Sequence, residues 1–386
     1  MSDLFTKQLH ILDSATGTRL QALGMPANAC TPDWVLRNPE AFLSIRRGDI
    51  AAGSDMIYAP TFGASAPDLK KHGVSAGVRD MNIRLVELAK EAADGRPVGG
   101  NLSPTGLQVF PAGMTSFDAL VDVFAEQAAA QEEAGVDFFA IETQMSLAEC
   151  RAAVTAVRSV SEKPILCSFS VTDASRSLFG EDMTSVLMCL QDMGVSAFGI
   201  NCCGNLGLIS RLLAKLRRYA SIPLVAKPNA GTPSLRGGQL HYSLSAAKMA
   251  AYVPRFIASG ARLLGGCCGT GPEFIAAIRA VTELVEAPEF TPVQTPALAA
   301  SPYRTVELTP RMKMEELEID DDIVENAAVA EATGAKLLNV ELRDEMDLDT
   351  LNEAQIALRL PLAIRCSDGE LLRRFLRLYN GKPVVL

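Results

Sequence analysis

Two pairs of adjacent cysteines, Cys202–Cys203 and Cys267–Cys268, are the residues of this sequence best suited to chemistry. Each pair ends an apolar run that is predicted to be a strand, and glycines flank the second pair. Three thiolates with an open fourth position are typical of a catalytic zinc site, whereas a structural zinc site is closed. A pair of buried apolar cysteines and a vicinal disulfide are the alternatives, but two pairs at two strand ends favour a metal.

The chemistry expected of such a zinc site is alkyl transfer to a thiol. Three thiolates leave the zinc site with a net negative charge, so it activates water poorly. A free thiol is mostly protonated at neutral pH, and coordination removes its proton while the sulfur stays nucleophilic. The alternative is a non-catalytic barrel that acts as an assembly module, with a structural zinc closed by Cys203 as fourth ligand.

The elements that must position the cysteines alternate between short apolar runs and helical stretches. The runs are continuously apolar, as in parallel strands covered on both faces. Eight such units predict an α/β fold, a (β/α)8 TIM barrel over residues 1–287, in which active sites lie at the C-terminal ends of the strands. An open doubly wound sheet is the runner-up, but its two common nucleotide-binding motifs are absent. The eight strand candidates are 9–14, 55–60, 96–102, 137–143, 164–171, 197–203, 223–229 and 262–268.

The remainder of the chain has a different pattern. Residues 288–314 carry five prolines without a helical period, which predicts an extended linker. Residues 315–386 predict a small α/β segment of three strands, and the acidic residues from Glu315 to Asp322 predict a solvated helix start. The open edge of that sheet needs a cover. We expect the barrel, a second copy of the chain in a homo-oligomer, or another protein to provide it.

Composition limits the classes of partner and the location. The net charge of −9 argues against a nucleic-acid partner, because phosphate binding needs a basic face. The apolar runs are shorter than the ~20 residues of a membrane helix, and the first ten residues contain no apolar signal core. We therefore expect a cytoplasmic protein that does not interact with membranes.

The cysteine motifs resemble those of a known family. The family is that of the homocysteine S-methyltransferases, which includes betaine–homocysteine methyltransferase and the N-terminal module of cobalamin-dependent methionine synthase. The resemblance covers residues 8–286. The motifs that carry it are GINCC (199–203) and GGCCGTGPE (265–273), with support from ILDSATGTRLQ (11–21), GSDMIYAPTFGAS (53–65), AIETQMSLAEC (140–150) and KPNAGTP (227–233).

The resemblance implies a role for each matching residue. It implies zinc-dependent formation of methionine from homocysteine, and it assigns the substrate ammonium to Glu142 and Asp13. Backbone N–H groups around Ser14 and the turn Thr61–Phe62–Gly63 would hold the substrate carboxylate. Cys203 has no counterpart in the motif and is expected to face elsewhere. The zinc ligands would be Cys202, Cys267 and Cys268.

The C-terminal segment carries a weaker resemblance, to the first half of the folate-binding barrel that follows the zinc barrel in methionine synthase. The remaining strands of that barrel are missing, so we expect a remnant that does not bind folate by itself. This resemblance implies methylcobalamin on a separate corrinoid protein as the methyl donor. S-methylmethionine, or another small sulfonium or ammonium donor, is the alternative.

Overall fold

Eight parallel strands curl into a ring in the first part of the chain. The computed structural model describes residues 3–6, 8–236, 239–285 and 290–386. The strands pair in the order β1-β10-β7-β6-β5-β4-β3-β2. The two outer strands of this order, β1 and β2, lie side by side, because the N–H of Asp55, two residues before β2, donates to the Ile11 carbonyl of β1 at 2.7 Å. The ring strands are β1 His10–Ile11, β2 Ile57–Tyr58, β3 Val98–Leu102, β4 Phe138–Gln144, β5 Ile165–Phe169, β6 Ala197–Asn201, β7 Leu224–Lys227 and β10 Ala261–Leu264.

Helices surround this ring and complete the predicted (β/α)8 barrel. A short antiparallel hairpin, β8 Ser234–Arg236 with β9 Gln239–His241, follows β7. Several helices begin at polar side chains that accept backbone N–H bonds, including Ser116, Ser146 and Asn205. The helices are α1 Gly17–Ala22, α2 Thr31–Arg37, α3 Pro39–Ala51, α4 Ala66–Lys71, α5 Val78–Ala93, α6 Phe117–Glu133, α7 Leu147–Val160, α8 Met183–Asp192, α9 Leu206–Arg217, α10 Ala246–Ala250, α11 Val253–Ala258 and α12 Pro272–Thr282.

The barrel has two apolar cores, because alternate strand residues point to opposite faces of the sheet. Phe138 of β4 points inward, whereas its neighbour Phe139 packs against the helices. Phe5, in the 3-10 helix Asp3–Phe5, lies edge-on to the Phe138 ring with 5.5 Å between centroids. The inner core thus fills the barrel below the strand ends and leaves only their C-terminal side for a site.

The C-terminal part contains more regular structure than the sequence predicts. A hairpin of β11 Leu298–Ala300 and β12 Thr305–Glu307 lies within residues 288–314, the stretch expected to be a linker. A parallel sheet follows in the order β13-β14-β15-β16, and its helices are α13 Ile323–Ala332, α14 Glu345–Ala354 and α15 Gly369–Leu378. The strands are β13 Met314–Glu316, β14 Leu337–Glu341, β15 Leu362–Arg365 and β16 Val384–Val385.

Strand β13 corrects the expectation of a helix start at the acidic patch. Glu315 and Glu316 pair through their backbones with β14, and the helix begins only at Ile323. The sequence signal was weak because β13 is an edge strand, whose exposed side chains are often charged. The sheet therefore has four strands instead of the three expected.

The barrel itself contacts the C-terminal segment. Arg151 of α7 donates to the carbonyls of Leu376 and Arg377 at the end of α15, at 3.0 and 3.1 Å. Its other terminal nitrogen donates to Asn380 Oδ1 at 2.9 Å. This contact is to α15 and not to the open edge of the sheet, so the barrel as a cover of that edge stays a prediction. Whether a second copy covers another face stays a prediction. Within the described ranges, no helix is long and apolar enough to cross a membrane.

Candidate zinc and substrate site

Three cysteine sulfurs lie together at the C-terminal mouth of the barrel. The Sγ atoms of Cys202, Cys267 and Cys268 all lie within 4.8 Å of one another, and those of Cys202 and Cys268 are 3.9 Å apart. Sulfurs bound to one tetrahedral zinc at the usual 2.3 Å are about 3.8 Å apart. The donor set and its spacing therefore fit a zinc ion. Among the described residues, no fourth His, Cys, Asp or Glu joins this group.

Cys202 reaches the group through a left-handed backbone. It follows β6 with φ = +51°, which costs a non-glycine residue roughly 1–2 kcal/mol. Its N–H donates to the Lys227 carbonyl at 3.3 Å, so the end of β7 supports this conformation. The next residue, Cys203, is buried among the apolar side chains between barrel and helices. The strained turn thus separates the two adjacent thiols, with one at the mouth and the other in the core.

The second cysteine pair lies in a tight turn after β10. The Cys267 N–H donates to the Pro228 carbonyl at 2.8 Å, and the Cys268 carbonyl accepts from Ala230 N–H at 2.9 Å. Gly269 follows with φ = +78°, and a Cβ there would collide with the Tyr242 ring. The loops after β7 and β10 are therefore bonded to each other, and this directs both thiols toward Cys202.

The three thiols share their protons. Hydrogen bonds from the Cys202 and Cys267 thiols lower the pKa of Cys268 to about 3. Hydrogen bonding to its two neighbours raises the pKa of Cys202. The group therefore stabilises one thiolate readily, and a bound divalent cation is what allows all three sulfurs to ionise together.

A cavity of about 260 Å³ lies against the sulfurs. Its wall is partly apolar, and Phe62 is 41% exposed there. Glu142 and Lys227 are the charged residues of the wall. The lining comprises Ser14, Ala15, Thr16, Gly17, Thr18, Thr31, Tyr58, Ala59, Pro60, Phe62, Asn101, Glu142, Thr143, Cys202, Lys227, Gly266, Cys267 and Cys268.

Lys227 is the central cation of a buried ion network beside this cavity. Its Nζ lies 2.8 Å from Glu142 Oε1, 3.0 Å from Asp13 Oδ1 and 4.0 Å from the centre of the Tyr58 ring. Burial alone would lower the pKa of Lys227, but the two carboxylates outweigh burial and hold it well above its usual value. Burial raises the pKa of Glu142, and Lys227 opposes that rise.

The same network continues away from the cavity through Arg46. This side chain lies 3.0 Å from Asp13 Oδ2 and 2.9 Å from Asp49 Oδ2. Asp49 Oδ1 pairs with Arg19 at 2.8 Å. We use the term buried ion network for these six residues: Asp13, Asp49, Glu142, Arg19, Arg46 and Lys227. It contains three carboxylates and three cations, so its formal charges cancel.

Only some of the residues predicted to bind the amino-acid substrate line the cavity. Glu142 lines the cavity, whereas Asp13 is fully buried and is not part of the lining. The Ser14 N–H lies 3.4 Å from Asp49 Oδ2, and its hydroxyl donates to Asp49 Oδ1 at 2.7 Å. Among the residues expected to bind the substrate ammonium and carboxylate, Ser14, Phe62 and Glu142 thus line the cavity, whereas Asp13, Thr61 and Gly63 do not.

The turn predicted to hold the carboxylate already has internal partners. The Thr61 side chain bonds the backbone N–H and carbonyl of Asn101 at 2.9 and 2.8 Å. The Gly63 N–H donates to Ser103 Oγ at 2.9 Å. These bonds tie the loop after β2 to β3, which gives Thr61 and Gly63 a structural role here.

Lys227 and Arg46 belong to the site although the sequence did not predict them there. Lys227 had a usable signal, because it is the one charged residue in the apolar run of β7. Arg46 had none, since a charged residue within an amphipathic helix such as α3 is ordinarily exposed. Arg46 is only 1% exposed because α3 packs this side chain against the barrel, which only the tertiary structure shows.

Two curated methionine synthases are similar in sequence to this chain. The chain is 28% identical over 306 residues to methionine synthase of Mycobacterium tuberculosis, and 27% identical over 297 residues to that of Mycobacterium leprae. These matches cover 74% and 72% of this chain but only 26% and 24% of those enzymes. The chain thus spans about a quarter of the length of these curated relatives.

Solved structures match the barrel as well. The homocysteine methyltransferase MmuM from Escherichia coli superposes in its oxidized form with a TM-score of 0.61 at 26% identity, over 70% of this chain and 95% of that one. Its metallated form superposes equally well. The model of the family described as homocysteine S-methyltransferase matches residues 10–282, which contain all three clustered cysteines. This chain therefore belongs to the homocysteine S-methyltransferase family.

Proposed function

We propose that this chain catalyses zinc-dependent methyl transfer to the thiol of homocysteine or a close thiol analogue, and that homocysteine yields methionine. The observation that carries the proposal is the group of three sulfurs, all within 4.8 Å, that opens onto a cavity. Three protein thiolates leave a fourth position for a substrate sulfur, as in catalytic zinc sites.

The cysteines and the apolar residues of the cavity would have different roles in the reaction. Cys202, Cys267 and Cys268 would hold the zinc ion, which would keep the substrate sulfur ionised at neutral pH. That sulfur forms a bond to the methyl carbon while the donor leaves with the electron pair of the broken bond, and the thiol proton passes to solvent. Apolar residues such as Phe62 and Pro60 line the cavity and limit the access of water to the methyl group.

The methyl donor of this reaction is a separate proposal. The matches to two methionine synthases, together with the resemblance to the cobalamin-dependent enzyme, support a methyl-corrinoid as the donor. The barrel also matches a homocysteine methyltransferase along 95% of that chain, and S-methylmethionine or another small donor is the alternative. We favour the corrinoid donor, since the C-terminal segment resembles part of the folate-binding barrel of methionine synthase.

The experiment combines homocysteine with each donor in turn. Purified protein with zinc is incubated with methylcobalamin or with S-methylmethionine, and methionine is quantified. We expect methionine with at least one donor, its loss after chelation, and its return when zinc is added back. Equal methionine formation by the zinc-depleted protein would contradict a catalytic zinc, whereas tight zinc binding without turnover of any donor would favour the structural-zinc alternative.

A further inference from the structure

The position expected for a substrate ammonium already contains an ammonium that belongs to the chain. The family resemblance assigns the substrate ammonium to Asp13 and Glu142. Lys227 Nζ lies between these carboxylates, 3.0 Å from Asp13 Oδ1 and 2.8 Å from Glu142 Oε1. Its side chain is only 5% exposed, so it fills this space from within the barrel.

The remaining oxygens of the two carboxylates are also engaged. Asp13 Oδ2 accepts from the Tyr58 N–H at 2.7 Å and lies 3.0 Å from Arg46. Glu142 Oε2 accepts from Asn101 Nδ2 at 3.1 Å. Asp13 is fully buried as well, so a molecule in the cavity does not reach it. Glu142 is thus the only one of the pair that a substrate could touch.

Within the buried ion network, each carboxylate is already matched by a cation of the chain. Its three carboxylates are matched by Lys227, Arg46 and Arg19. A substrate ammonium that approached Glu142 would share one carboxylate with Lys227. Two cations at such a short distance repel each other, and burial increases the repulsion because water screens it less.

We propose that Lys227 determines which thiols this site accepts, by occupying the ammonium position and favouring thiols that carry no ammonium group. The class includes the ω-mercaptocarboxylates, of which 4-sulfanylbutanoate is the counterpart of homocysteine without its amino group. This inference rests on the proposed function in one respect, because it requires the thiol to bind at the zinc site. It narrows the thiol substrate and leaves the methyl-transfer chemistry unchanged.

A binding measurement tests the inference without a methyl donor. Homocysteine and 4-sulfanylbutanoate are titrated separately into the zinc-loaded chain of 386 residues, and the dissociation constants are measured by calorimetry. We expect 4-sulfanylbutanoate to bind about tenfold more tightly. A clear preference for homocysteine would overturn the role of Lys227 and leave the proposed function standing. Zinc-dependent binding of neither thiol would overturn both.

Two variants separate the roles of the lysine and the carboxylate. Lys227→Met keeps the length of the side chain but removes its charge, which leaves Glu142 available to a substrate ammonium. We expect this variant to shift the ratio of the two dissociation constants about tenfold toward homocysteine. An unchanged ratio in a folded, zinc-loaded Lys227→Met protein would contradict the proposal.

Glu142→Gln provides the second measurement, which does not depend on the folding of the lysine variant. Here Lys227 keeps its partner Asp13, and we expect the affinities for both thiols to change by the same factor. A selective loss of homocysteine affinity would mean that Glu142 binds the substrate ammonium in the native protein, and it would overturn the proposal. The double variant Glu142→Gln/Lys227→Met, with neither charge, should show no preference between the thiols.

Discussion

At the residue scale, Cys202 belongs to the group of clustered sulfurs, whereas its neighbour Cys203 does not. The two thiols are adjacent in sequence, but the left-handed backbone of Cys202 directs its sulfur to the barrel mouth. Cys203 is packed in the apolar core instead. Since strained backbone is retained mainly where function requires it, we interpret the φ of Cys202 as part of the metal site.

The pair of cysteines yields a matched test at the residue scale. Cys268→Ser replaces a soft thiolate by a hydroxyl, which zinc binds poorly, so we expect at least about a 100-fold loss of zinc affinity and loss of methyl transfer. Cys203→Ser should keep zinc and activity. Zinc content by mass spectrometry under native conditions checks both. Full zinc and activity in Cys268→Ser would refute our assignment of the ligands.

At the scale of elements, the loop between β5 and α8 holds a carboxylate, Glu181, that forms no ion pair with any residue the structure describes. Glu181 accepts from the Leu147 N–H at 2.8 Å and from the Ser177 hydroxyl at 2.6 Å. Burial raises its pKa to about 7, against the lowering effect of these two hydrogen bonds. The loop thus joins the start of α7 to the start of α8 through a side chain that is easily protonated.

The raised pKa of Glu181 makes stability depend on pH. The folded protein keeps its proton up to about pH 7, whereas the unfolded chain loses it near pH 4.5. The free energy of unfolding therefore falls as pH rises between these values, by roughly 3 kcal/mol in all. Glu181→Gln should remove this loss, so that its stability relative to wild type increases between pH 4.5 and 7.

Chemical denaturation at pH 4.5 and pH 8 measures this effect. The exposed Glu162→Gln variant is the control, and its stability relative to wild type should stay constant within about 0.5 kcal/mol. A Glu181→Gln variant that is less stable than wild type at both values of pH by the same amount would show that Glu181 acts only through its hydrogen bonds.

At the scale of the whole molecule, Arg151 joins the barrel to the C-terminal segment. Its guanidinium donates to the last carbonyls of α15 and lies over the Phe117 ring at 5.5 Å. Burial lowers the pKa of Arg151. A cation at a helix C-terminus is stabilised by the helix dipole, and its removal leaves those carbonyls without a partner.

This contact predicts the effect of two arginine substitutions. Arg151→Ala should lower the free energy of unfolding by about 3 kcal/mol and make the C-terminal segment more sensitive to limited proteolysis. Arg377→Ala removes the exposed pair with Asp118 and the contact of its guanidinium with the Phe117 ring, and it should cost about 1 kcal/mol. Equal losses in the two variants would show that the buried contact of Arg151 does not hold the segment.

Much of the architecture could be read from the sequence because it depends on local patterns. Continuous apolar runs that alternate with helical stretches indicate a parallel barrel, and the C-terminal ends of parallel strands share one face. That rule alone brings Cys202 near Cys267 and Cys268. The charged edge strand β13 could not be recognised, because its pairing with β14 uses backbone groups and leaves no apolar pattern.

The sequence by itself thus determined the barrel, the three clustered thiols and the kind of chemistry they can do. Only the tertiary structure decided what surrounds them. Lys227 and Glu142 are 85 positions apart, yet their charged groups meet at 2.8 Å. No local pattern encodes such a contact, since it requires the ring of strands to close around both side chains. The physical reason is that burial forces charges to pair, and the partners available to a buried charge depend on the fold.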